Sequence, residues 1–178
     1  MHTYASSVKL DKYSNSEDDI FMTKTAYIAS SWFNDEQTAH MNGGVAAIKA
    51  NPTVDFDNSY LPLAHQYKGL DTMKNPELLS DTEWQLATFN GDVQGINNTD
   101  LVIALYDPKQ ENSDPGVLWE VGYAFGLRKP VILVLPDDNE IPLNLMPAMG
   151  ATAIIHVKDL EGYNFNFPNY DVYKGQVY

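Results

Sequence analysis

The chain has 178 residues, enough for one domain of ordinary size with a sizeable buried core. Its 24 Asp and Glu against 11 Lys and Arg leave a formal charge of −13, which repels nucleic acid and anionic membrane surfaces and favours a neutral or weakly charged ligand. Cysteine is absent, which removes disulfides, thiol nucleophiles and Cys-ligated metal sites and fits a reducing compartment.

Residues 1–21 are rich in Ser, Asp, Lys and Asn and read as a polar extension outside the core, leaving 22–178 as a single domain. They hold no apolar run of signal-peptide length, and no stretch approaches the ~20 apolar residues of a membrane span, so a cytoplasmic protein is expected. The segment 25–30 reads as a first strand. Asn34 and Asp35 then supply cap chemistry for a helix running to Ala50, weakened by Gly43 and Gly44. The stretch 54–63 contains a second strand, followed by a polar loop with His65-Gln66-Tyr67-Lys68-Gly69. Residues 80–96 read as a helix, with Leu86, Phe89, Val93 and Ile96 on one face at three- and four-residue steps.

Three runs, 101–106, 131–135 and 153–157, are apolar apart from His156, as strands covered on both faces are. A helix over 116–127 separates the first two. Strands alternating with helices indicate parallel βαβ units, and the whole reads as a flavodoxin-like, doubly wound α/β sheet of about five parallel strands with helices on both faces. Ligands bind such sheets beyond the carboxyl ends of the strands.

The first strand leads into Ser31-Trp32-Phe33, which carries neither a dinucleotide fingerprint nor a P-loop. The four histidines are scattered without metal-ligand spacing, so no metal and no cofactor are expected. Attention falls on Glu120, about one turn inside the helix that Pro115 and Gly116 open. Its neighbours are apolar and no Lys or Arg lies within four residues. On the residues alone it is either a solvated glutamate on a helix flank or a carboxylate kept for chemistry, with the helix N-terminus helping to hold it ionised. An ionised, partly desolvated carboxylate is what nucleophilic attack on an anomeric carbon requires. Asp92, one step off its helix's apolar stripe, is a candidate acid for the departing group. Asp114 is either a helix cap or a third site carboxylate. Trp32, Phe33 and Tyr67 follow strand ends, where they serve either the core or a flat ligand, and Gln66 is suited to the edge of a base.

Several segments together resemble the nucleoside 2-deoxyribosyltransferase family. They are Tyr27-Ile28-Ala29-Ser30-Ser31-Trp32-Phe33, Asn58-Ser59-Tyr60, Gln66-Tyr67-Lys68-Gly69, Asn90-Gly91-Asp92, 116–124, Leu143-Asn144-Leu145-Met146 and Tyr173-Lys174-Gly175-Gln176-Val177-Tyr178. The resemblance implies base exchange on 2′-deoxyribonucleosides, with free nucleobases as co-substrates, through a covalent deoxyribosyl-enzyme intermediate. It implies Glu120 as nucleophile, Tyr27 orienting it, and Asp92 as the proton donor and acceptor for the base. Gln66, Asp114, Phe33 and Trp32 take substrate-binding places. Asn144, Met146 and the terminal carboxylate of Tyr178 complete the sugar end, the first two from a neighbouring subunit, so a homohexamer with shared sites is implied. The segments look more like the class accepting purines and pyrimidines than the purine-only class. Ala29-Ser30-Ser31 departs from the glycines common there. The alternatives are an N-glycosidase, in which water takes the second step, and a non-catalytic nucleoside-binding module.

Overall fold

The computed structural model describes residues 23–178. The extension expected at 1–21 lies outside the described residues. Four strands form one parallel sheet in the order β1 (Ala26–Ala29), β2 (Leu101–Leu105), β3 (Val131–Leu135) and β4 (Ala153–His156). Tyr27 pairs with Val102, Ile103 with Ile132, and Leu133 with Ile154. Four α-helices accompany them: α1 (Asp35–Ala50), α2 (Thr82–Asn98), α3 (Pro115–Gly126) and the short α4 (Leu145–Gly150).

Because side chains alternate along a strand, each strand feeds two cores. Ala26, Ile28, Ile103, Ile132 and Val134 face α1, where Met41 and Ile48 meet them, with Leu160 and Phe165 closing the layer. Tyr27, Ala29, Val102, Ala104 and Leu133 face the other way, toward Ile96 of α2 and Val117, Val121 and Ala124 of α3. Burying an isoleucine such as Ile28 or Ile103 contributes about 1.5–3 kcal/mol, so the continuous apolar runs favour a sheet covered on both sides.

Asn34 caps α1 by accepting a hydrogen bond from the Gln37 amide at 2.8 Å. The glycine pair inside α1 has a packing explanation at one position. A Cβ on Gly44 would stand 2.5 Å from Leu105, so glycine lets α1 lie directly on β2. At the far end of α1, Asn51 donates to the carbonyls of Leu160, Glu161 and Tyr163, and ties the chain after β4 back to the helix.

Two expectations are revised. The segment 54–63 does not form a fifth full strand; it runs parallel to the free edge of β1 and makes only isolated bridges, Lys24 to Val54 and Tyr27 to Tyr60. A turn interrupts the ladder between them: the Ser59 amide donates to Phe56 O, and Asn58 bonds back to the Asp55 carboxylate. The apolar stripe of α2 also divides. Ile96 is fully buried, whereas Leu86 and Phe89 remain 58% and 53% exposed. On α3, Trp119 and Phe125 are similarly exposed, and the Phe89 and Trp119 rings meet at 5.6 Å.

Candidate active site

The carboxyl ends of β1 and β2 open on a cavity of about 250 Å³ between α2, α3 and the loop after residue 61. β1 supplies Tyr27, which is fully buried in the sheet. The Tyr27 hydroxyl donates to Glu120 Oε1 at 2.6 Å. This short bond across 93 residues fixes a carboxyl group that has no cation beside it in sequence. Burial, followed by Glu120 and Asp92, pushes the Tyr27 phenol far above its ordinary range, so it remains a donor.

Glu120 shares the cavity wall with Asp92 and Asp114. Burial pushes Glu120 up to about 8; the Tyr27 bond opposes this, and the charges of Asp92 and Asp114 add to it. Desolvation therefore outweighs the helix N-terminus expected to keep Glu120 ionised. Asp92 is pushed up to about 6, again by burial, with Tyr60 and His65 pulling it down. The Tyr60 ring is held between Tyr27, at 5.5 Å and 9°, and His65, at 4.2 Å and 14°. α2 accepts this ring because position 95 is glycine: a Cβ there would lie 2.6 Å from Tyr60.

Asp114 fits both of its readings. Its carboxylate caps α3 by accepting from the Gly116 amide at 2.8 Å, and it lines the cavity. The loop before it is held by Asn112, which is nearly fully buried and donates to Asp107 and Glu36 at 2.7 Å each. Gln37 reaches the same loop through the Asn112 carbonyl. Trp32, Phe33 and Gln66 also line the cavity, with Gln66 anchored to Pro62 O at 3.1 Å. Tyr67 does not line it; its hydroxyl donates to Glu83 on α2.

Asn144, Met146 and Tyr178 are not brought to the Glu120 of their own chain. Asn144 caps α4, and with Met146 it lines a separate apolar groove of about 550 Å³ beside Leu118 and Phe125. Tyr178 pairs through its backbone with Leu143 and Leu145, and its side chain is exposed. Sequence reasoning passed over Trp84 and Thr88, which line the Glu120 cavity. They precede Asp92 by eight and four residues, the spacing of one helix face.

The sequence model of the nucleoside 2-deoxyribosyltransferase family matches residues 26–168. The chain belongs to that family. The nucleoside deoxyribosyltransferase of Lactobacillus leichmannii is 42% identical over 156 residues, covering 87% of this chain and 98% of that protein. That of Lactobacillus johnsonii is 41% identical over 148 residues, with 83% and 98% covered. Among solved structures, the 2-deoxyribosyltransferase of Bacillus psychrosaccharolyticus superposes with a TM-score of 0.68 at 25% identity, over 84% of this chain and 98% of that one. The nucleoside 2-deoxyribosyltransferase fold, a parallel sheet with helices on both faces, is thus common to chains of low identity, and this chain is an enzyme of that family.

Proposed function

We propose that the protein exchanges the base of 2′-deoxyribonucleosides, with Glu120 as the nucleophile. In the first half-reaction the Glu120 carboxylate bonds to C1′ as the C1′–N bond breaks, and Asp92 delivers a proton to the departing base. In the second, Asp92 takes a proton from the incoming base, whose nitrogen bonds to C1′ and releases Glu120. Tyr27 holds Glu120 at the attacking angle. Trp32 and Phe33 flank the base, Gln66 meets its edge, and Asp114 contacts the substrate from the start of α3. The observation that carries this reading is the 2.6 Å Tyr27–Glu120 bond in a cavity that also holds Asp92.

The test supplies a deoxynucleoside with and without a second base. Exchange that needs the second base, with little free deoxyribose in its absence, is the expected result. Deoxyribose released at the same rate in both cases would show a hydrolase instead.

We further propose that copies associate as a homohexamer, in which Asn144 and Met146 close a neighbour's sugar site and the Tyr178 carboxylate also helps to close the site. Supporting this, Met146 is 76% exposed on an apolar groove, next to a face on which Phe89, Trp119 and Phe125 stand open. Exposed apolar clusters of this kind mark contact surfaces. Sedimentation velocity is expected to show a six-subunit species; a fully active monomer would refute the shared site.

A further inference from the structure

Buried polar side-chain atoms are nearly always satisfied, and one that is not calls for an explanation. Among the described residues five such atoms lack a partner, and three of them belong to residues that line the Glu120 cavity: Ser30 Oγ, Trp84 Nε1 and Thr88 Oγ1. Ser30 stands on the β1 side at 6% exposure. The other two belong to α2, where positions 84, 88 and 92 follow one another at four-residue steps. They form a single stripe on one helix face, each about 6 Å further along the axis, with Asp92 at one end.

We infer that Trp84 and Thr88 read the edge of the nucleobase, with Trp84 Nε1–H donating to a lone-pair acceptor on the base. The inference rests on the proposed base exchange, because it is Asp92 that anchors one end of the stripe to the base nitrogen. A flat heterocycle protonated by Asp92 and lying along α2 presents its remaining edge to the next positions of the same face. These atoms are closed to solvent and unpaired in the free protein, so a seated base that reaches them supplies a bond they otherwise lack. The two residues ask for different things. Indole N–H is a donor only, so the group opposite Trp84 has to be an acceptor. The Thr88 hydroxyl donates or accepts as it rotates, so it tolerates either an amino or an oxo substituent. The pocket is therefore strict at one point of the base edge and permissive at the next.

The experiment measures kcat/KM for base exchange with wild type, Trp84→Phe and Thr88→Val. Two acceptor series are used: adenine with its 1-, 3- and 7-deaza analogues, and uracil with 2-thiouracil and 4-thiouracil, in which sulfur is a poor acceptor. Wild type is expected to lose roughly 10- to 100-fold against the analogue lacking the acceptor that faces Trp84. Trp84→Phe keeps the ring but not the N–H, so it should lose a similar factor on the natural base and no longer distinguish that analogue. Thr88→Val should lower kcat/KM for amino and oxo bases alike, chiefly through KM. If Trp84→Phe retains wild-type discrimination in both series, or loses the same factor for every analogue, the assignment is wrong. If wild type exchanges no natural base at all, it is the base-exchange reading that fails, and the two failures are distinguishable.

Discussion

The two layers flanking the sheet are built differently. On the α1 side, Gly44 lets the helix touch β2, and Asn51 satisfies three carbonyls at once. Ile28, Ile48, Leu160 and Phe165 are all fully buried. On the α2–α3 side the same strands support a buried carboxylate, three polar atoms without partners, and aromatic rings left in the open. The first layer leaves a single such atom on α1, His40 Nε2, whereas the other leaves several polar and apolar groups for something else to meet. A tightly packed half can carry a half whose groups are kept for function at a cost in stability.

Substitutions on the two sides should therefore fail in different ways. The largest effect is expected for Glu120→Ala, which should lower exchange by at least about 10³-fold while leaving the fold intact. A variant that exchanges bases at near wild-type rate would undo the contrast. Asp92→Asn should slow exchange by roughly 10²- to 10⁴-fold, the range of general acid–base catalysis, and most for bases that leave poorly. Equal loss for every base would point to a structural role. On the other layer, Asn51→Ala should cost about 1–3 kcal/mol in denaturant unfolding, because three carbonyls lose their donor, with KM and base preference unchanged.

The acid–base behaviour sharpens the same contrast. Attack needs Glu120 ionised and Asp92 protonated, while burial sets Glu120 near 8 and Asp92 near 6. The rate should follow a bell. Below about pH 6 both groups hold protons and no nucleophile is available; above about pH 8 neither does and the acid is lost. A profile rising monotonically through pH 9 would contradict it. The smallest expected effect is on stability. The Glu120 carboxyl is raised above its ordinary value of 4.5, so its contribution is fully present below that pH and is lost as pH rises through about 8. Glu120→Gln removes this penalty and should raise Tm by a few °C at pH 8–9 and by less at pH 5.

Much of this layout was legible in the chain. The runs at β2 and β3 are apolar throughout because both faces are covered, and Asn34 and Pro115-Gly116 mark helix starts by chemistry that acts within a few residues. Glu120 stood out because nothing nearby in sequence could pair with it; its partner, Tyr27, lies 93 residues away. The turn at Asp55 and Ser59 was not legible, because alternating apolar residues do not reveal where a side chain will interrupt a ladder. The apolar stripe of α2 misled for another reason. Periodicity reports which face is apolar, and says nothing about whether that face meets its own chain. Trp84 and Thr88 looked like ordinary helix residues; only the cavity distinguishes them.

The chain's three tryptophans are spread unevenly over these features. Trp32 and Trp84 line the cavity, while Trp119 lies in an open stack with Tyr123 at 5.3 Å. The protein thus carries two built-in optical reporters. Emission from the first pair should respond to a base sliding between α2 and the first loop. Emission from Trp119 should respond to whatever covers the outer face of α3. Variants retaining one class of indole would let ligand entry and surface contact be followed separately in the same cuvette, without an attached dye.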